Sequence, residues 1–171
     1  MKKEQLILKW LKGRVVVNLG STVGDLHDYL KKNYKGKIIG VDIVGGPDIK
    51  CDLNKKIPLK SNYADAVVAG GIIEHMLNPY GFLKECHRVL KPGGRLIVTT
   101  PSGKCPFNPS LPGHIYSWDS THNLAQLADR AGFMVVHHSY VDYGDRNPIH
   151  RIVYTLRMLR PGLFGVYEAV K

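Results

Sequence analysis

Residues 65–100 read DAVVAGGIIEHMLNPYGFLKECHRVLKPGGRLIVTT, and the order of apolar, capping and glycine-rich pieces in them leaves few folds open. Val67, Val68 and Ala69 form a short apolar run behind Asp65, the composition of a strand covered on both faces. Glu74-His75 follows at its end. Asn78-Pro79 then supplies a capping oxygen and a preset first-turn φ, the two features that open a helix. Phe82, Leu83, Cys86, Val89 and Leu90 recur at helical spacing, and Lys91-Pro92-Gly93-Gly94 is expected to stop the helix in a turn. Leu96-Ile97-Val98 is a second apolar strand. Strand, helix, turn and strand make one βαβ crossover, which requires parallel strands and a right-handed connection.

The rest of the chain continues the alternation. A short helix over 2–12 places Leu6, Ile7, Trp10 and Leu11 on one face, and Arg14–Leu19 is a β-branched first strand. After the turn Gly20-Ser21-Thr22-Val23-Gly24, residues 25–33 carry Leu26, Tyr29 and Leu30 at helical spacing. Lys37–Asp42 is the second strand and Ile49–Asp52 a short third one. A proline-rich loop spans 101–118, a helix is expected to start at Asp119 and end at Gly132, and Phe133–Val136 is another strand. Ile149–Leu159 reads as helix and Leu163–Val170 as the last strand. The result is an α/β open sheet wound on both faces. Such sheets bind ligands beyond the carboxyl ends of their strands, which puts Gly20, Asp42, Asp52 and Gly70 on one rim.

Asp65, then Glu74-His75, Asn78-Pro79, Phe82-Leu83, Arg88-Val89-Leu90-Lys91-Pro92-Gly93-Gly94 and Thr100-Pro101 form an ordered set. This set resembles class I S-adenosylmethionine-dependent methyltransferases, nearest to the small-molecule branch that includes quinone and sugar methyltransferases. The likeness covers roughly residues 14–140. It implies a single methyltransferase domain over 1–171 and a Rossmann-like seven-stranded sheet of order 3-2-1-4-5-7-6 with the last strand antiparallel. It also implies S-adenosylmethionine as cofactor and methyl transfer to an O, N or C atom of a small or medium-sized acceptor.

The same resemblance assigns cofactor contacts to Asn18, Gly20, Gly24, Asp42, Ile43, Asp52, Leu53 and Gly70. Two of these positions depart from the family pattern. Asn18 stands where relatives carry a carboxylate that helps hold the cationic methionine end of the cofactor, and Thr22 replaces the middle glycine of a GxGxG turn. Asp42 ends an apolar strand about twenty residues after the glycine turn, the placement at which a carboxylate accepts ribose hydroxyls in nucleotide-binding sheets. A capping or turn aspartate is the other reading of Asp42, and the same geometry serves NAD in dehydrogenases. The missing GxGxxG spacing and the Glu-His and Lys-Pro-Gly-Gly pieces favour the methyltransferase. Asp52-Leu53 falls where the family binds adenine, and Gly70 where a backbone carbonyl meets the methionine amino group.

Displacement at a sulfonium methyl gains most from positioning, and a base is needed only for an acceptor that must lose a proton. His75 and His114 are the candidates, because a histidine titrates near neutral pH. Structural packing is the competing role for each. Loop 101–118 is long enough to act as a lid on the acceptor, with Phe107, Tyr116 and Trp118 as an apolar wall. Arg146, His150 and Arg151 would add a basic margin to it. No His/Asp/Glu group shows ligand spacing along the chain, so no metal is expected, and His137-His138 on a strand should face opposite ways.

Length, charge and cysteines bound the rest. With 171 residues the chain is one domain by the usual prior. The three cysteines form no CxxC pair, as expected of reduced thiols in a cytoplasmic protein, and no run reaches membrane-spanning length. A net charge of +10 permits an acidic acceptor or nucleic acid. The charges are dispersed, however, and no aromatics are interleaved with them, so nucleic acid is not favoured. An inactive cofactor-fold subunit with a binding or regulatory role is the alternative from another class, and Asn18 and Thr22 support it.

Overall fold

A computed structural model describes residues 2–22, 25–102, 113–141 and 162–171. In its sheet β1 (Val15–Leu19) is flanked in parallel by β2 (Lys37–Asp42) and β4 (Ala64–Gly70). β3 (Ile49–Lys50) pairs outside β2, and β5 (Leu90–Pro101) pairs with β4, both in parallel. β7 (Gly162–Ala169) runs antiparallel between β5 and β6 (Phe133–Val141). The order β3-β2-β1-β4-β5-β7-β6 is the one the sequence implied, with the last strand antiparallel.

Successive strand residues point to opposite faces, and each face is covered. Val16, Ala66, Val68 and Ile97 pack with Ile7 of α1 (Lys3–Trp10) and Leu30 of α2 (Leu26–Asn33). Val17, Leu19, Val67, Leu96 and Val98 pack on the other face. There they meet Phe82, Leu83 and Cys86 of α3 (Pro79–Val89) and Leu124 and Ala128 of α4 (Thr121–Arg130). Two-sided burial explains why the inner strands read as continuous apolar runs rather than alternating ones. His137 and His138 do face opposite ways: His137 stacks on Trp10 at 5.1 Å between ring centroids, while His138 Nδ1 lies 2.9 Å from Thr121 Oγ1.

Asn78 caps α3 by accepting from Gly81 N at 2.9 Å, with Pro79 in the first turn. The stop is different from the expected turn. The helix ends at Val89, and Lys91-Pro92-Gly93-Gly94 lies inside β5, where the register slips from Ala64↔Leu90 to Ala66↔Arg95. The glycine-rich piece is therefore a bulge in a ladder, with Gly93 at φ +68°. α4 starts at Thr121 rather than Asp119, because the Ser120 hydroxyl accepts from Asn123 N. β3 is shorter than expected, and β6 extends to Val141 because it pairs with β7 along that length, with one register shift between Val135 and His137. The expected helix over 149–159 lies outside the described residues. No helix among the described residues is long and apolar enough to cross a membrane.

Candidate active site

The parallel register aligns Asn18 with Gly40 and Val68, and Leu19 with Val41 and Ala69. The next residues of these strands, Gly20, Asp42 and Gly70, therefore emerge on one rim. Gly20 N donates to Val41 O at 2.9 Å as the chain turns away from the sheet. Gly20 has φ +70°, and a Cβ there would stand 2.0 Å from Ile72 Cδ1, so both backbone conformation and space require glycine. Gly24 lies outside the described residues.

Asn18 is 1% exposed, and its Nδ2 lies 3.3 Å from His27 Nδ1. Burial first, and then Lys31, hold His27 below its ordinary pKa against the opposing pull of Asp48 and Asp28. A neutral His27 accepts at Nδ1, so Asn18 spends one of its two amide hydrogens there. Asn18 Oδ1 is buried with no hydrogen-bond donor among the described residues. An unspent buried acceptor beside the Gly20 turn suits a cationic ligand group.

Asp42 is 7% exposed and heavily engaged. Its Oδ2 accepts from Thr22 N at 3.0 Å and from Thr22 Oγ1 at 2.7 Å. Its Oδ1 accepts from Ile43 N at 2.7 Å and Val44 N at 3.4 Å. Burial pushes the carboxyl up, but these donors outweigh it and hold the Asp42 pKa below its ordinary value. The side chain of Ile43, 51% exposed, lies open beside it.

The expected adenine and methionine contacts are partly engaged by the protein itself. Asp52 Oδ1 accepts from Asn54 N at 3.0 Å and Nδ2 at 3.3 Å, and Leu53 is buried in the core. A cavity of about 300 Å³ opens next to Leu53, lined also by Lys55, Lys56, Leu77, Asn78 and Phe82. Of the expected cofactor residues it touches Leu53 alone. A Cβ on Gly70 would stand 2.9 Å from Leu26 Cδ2.

At the end of β4 the fold assembles a group that spacing along the chain did not reveal. Glu74, 3% exposed, accepts from Thr100 Oγ1 at 3.0 Å, and burial raises its carboxyl above the ordinary value. Its carbonyl accepts from Ile115 N at 2.8 Å and Tyr116 N at 3.1 Å, tying 113–116 back onto the rim. His75 Nδ1 lies 2.9 Å from Gly113 O, so the Nδ1–H donates and Nε2 stays free of that bond. The His75 and His114 rings meet edge to face at 4.7 Å. Glu74, His75 and His114 each offer one ligand atom, all within 4.8 Å of one another. The sequence expectation of no metal cluster rested on linear spacing, and His114 reaches the other two only through the fold. Burial, and then His75, lower the pKa of His114, which keeps its ring neutral near pH 7.

Tyr116 and Trp118 lie on the segment that Glu74 ties down, with ring centroids 6.4 Å apart. Phe107, Arg146, His150 and Arg151 are outside the described residues. Two site features had no sequence signal beyond residue type: the Thr22 hydroxyl on Asp42 and the His27 ring on Asn18.

The fold is an α/β sheet that carries these residues on one rim. Residues 17–98 match the family described as "Methyltransferase domain". A Mycolicibacterium smegmatis protein named "Probable S-adenosylmethionine-dependent methyltransferase" is 34% identical over 93 residues, 52% of this chain and 35% of that protein. The mitochondrial ubiquinone biosynthesis O-methyltransferase of Rattus norvegicus is 42% identical over 50 residues, 29% of this chain and 14% of its own. The methyltransferase solved in complex with the Trm112 methyltransferase activator of Haloferax volcanii shares the fold, with a TM-score of 0.76 at 18% identity. That alignment covers 98% of this chain and 88% of the solved one. Over residues 17–98 the chain is similar to the methyltransferase domain family, and it shares its fold with solved methyltransferases. The matches span 35% and 14% of the length of these two curated relatives.

Proposed function

We propose that the rim formed by Asn18, Gly20, Asp42, Ile43, Asp52, Leu53 and Gly70 binds S-adenosylmethionine, and that the chain transfers its methyl group to an O, N or C atom of a small or medium-sized acceptor. The observation that carries this reading is the buried, unspent Asn18 Oδ1 beside the positive-φ Gly20 turn, with the Asp42 carboxylate on the same rim. When bound, the cofactor supplies an electrophilic methyl group on a sulfonium.

Each residue then has a defined part. Asn18 Oδ1 accepts from the cofactor's amino group, and Gly20 lets the backbone approach without a Cβ. Asp42, ionised at working pH, accepts from the ribose, and the open Ile43 side chain covers one face of the base. His114 is neutral and takes the proton of an acceptor that must lose one, while His75 is oriented through Gly113 O. Segment 113–118 forms the inner part of a lid over the acceptor, because Glu74 holds its backbone against the rim. Excluding water there would shorten the approach of nucleophile to methyl.

Titration calorimetry with S-adenosylmethionine and S-adenosylhomocysteine tests the reading. Saturable binding that Asp42→Ala abolishes is expected. Absence of heat and of any thermal shift at millimolar ligand would overturn it and leave a cofactor-fold subunit without cofactor. An unchanged affinity in Asp42→Ala would remove the ribose role.

A further inference from the structure

The Asp42 carboxylate has room for about four hydrogen bonds, two on each oxygen. Four donors already point at it: Thr22 N, Thr22 Oγ1, Ile43 N and Val44 N, at 3.0, 2.7, 2.7 and 3.4 Å. A ribose hydroxyl can therefore reach Asp42 only by replacing one of them. Three are backbone N–H groups fixed by the turns that carry them. The Thr22 hydroxyl alone swings on a single side-chain torsion. It is also the donor most like the incoming one, an O–H group at 2.7 Å.

The neighbourhood holds this hydroxyl in place. Gly45 has φ +71°, and a Cβ there would stand 2.8 Å from Thr22 Cβ and 2.9 Å from Thr22 Cγ2. The loop after β2 thus closes on the threonine and packs it against Asp42. Glycine in place of Thr22 would offer the backbone N–H but no hydroxyl, leaving one acceptor position on Oδ2 open.

We infer that Thr22 is a built-in stand-in for a ribose hydroxyl: it satisfies the buried Asp42 carboxylate, and its rotation off Asp42 is the step that admits the cofactor and sets its affinity. This rests on the cofactor-binding reading above. The exchange is hydroxyl for hydroxyl at one oxygen, with no charge moved and the proton count unchanged. Affinity is lowered because the ligand must first displace a bond of the same kind. Thr22 acts through Asp42 and is a positioning residue.

The test compares Thr22→Val, which keeps shape and removes the donor, with Thr22→Ser, which keeps the donor. S-adenosylhomocysteine should bind Thr22→Val about tenfold more tightly than the parent protein, and Thr22→Ser like the parent. The gain should vanish for an adenosine ligand whose ribose lacks both hydroxyls. Without ligand, the Asp42 carboxyl titration followed by NMR should rise in Thr22→Val and stay put in Thr22→Ser. A folded Thr22→Val that binds no more tightly than the parent overturns the inference while leaving the cofactor reading intact. Parent and both variants all failing to bind would bring down the cofactor reading and this inference with it. An unmoved Asp42 titration would show that the hydroxyl is not held there.

Discussion

Lys91 Nζ donates to Asp65 Oδ1 at 2.7 Å, while Asp65 Oδ2 accepts from the backbone N–H groups of Arg14 and Val15, each at 2.8 Å. One carboxylate thus joins the start of β1, the start of β4 and the bulge that opens β5. It lies far from the rim, so its work is to register three strands whose other ends carry the site.

Replacing Asp65 by Ala should cost about 2 kcal/mol, since two backbone donors lose their acceptor, and lower Tm by about 4–8 °C. The effect should depend on pH. Burial pushes the Asp65 carboxyl up, but the bonds from Lys91, Val15 and Arg14 outweigh it, so its folded pKa lies below the unfolded value. Its contribution is then present above the unfolded pKa and lost as pH falls through the folded one. Urea unfolding from pH 7 down to pH 3 should show a shallower acid-side decline for Asp65→Asn than for the parent protein.

Gly20→Ala should destabilise by about 1–3 kcal/mol, from a left-handed backbone and a Cβ placed 2.0 Å from Ile72 Cδ1. Adding Ile72→Ala removes the clash but not the φ of +70°, so the double variant should recover part of the loss. Equal stability of Gly20→Ala and the parent in denaturant melts would show that the turn relaxes freely.

His114→Ala should lower kcat by about 10²–10⁴ for an acceptor that must shed a proton, with cofactor Kd within about twofold of the parent. Because burial and His75 depress the His114 pKa, the ring stays a competent base below the ordinary histidine range. Activity should therefore fall only as pH drops through that lowered value, and the acidic limb should disappear in the variant. A limb at the same pH in His114→Ala would assign the titration elsewhere.

Asn18→Asp should tighten S-adenosylhomocysteine by about tenfold, by turning the buried Oδ1 acceptor into a charged partner for an amino group. The new carboxylate would also raise the pKa of His27, 3.3 Å away, which NMR titration of the imidazole would record. Weaker binding together with a raised His27 would mean that the charge is spent on the ring instead.

Much of the sheet was legible because two-sided burial leaves long apolar runs, as at Val15–Leu19 and Lys37–Asp42, and because Asn78-Pro79 carries its own helix start. The length of β6 was not legible. Met134, Val135 and Val136 are exposed, and the antiparallel pairing with β7 carries that strand to Val141. The Lys91–Gly94 bulge was misread as a turn for the same reason: local residues signal a break, and the ladder to β4 decides its form.

At the site, strand-end placement nominated Gly20 and Asp42, histidine chemistry nominated His114, and the family resemblance supplied Asn18. Whether each group is free or already spent is a property of contacts between segments distant in the chain. Thr22 on Asp42, His27 on Asn18, and Glu74 gathering residues 113–116 exist only once the strands are stacked in order. The sequence by itself determined most strands and helices and the residues at the strand ends, because periodicity and capping act over a few residues, while its resemblance to methyltransferases implied the strand order. The tertiary structure decided the protonation and the hydrogen-bond state of that rim, because burial and long-range donors set both.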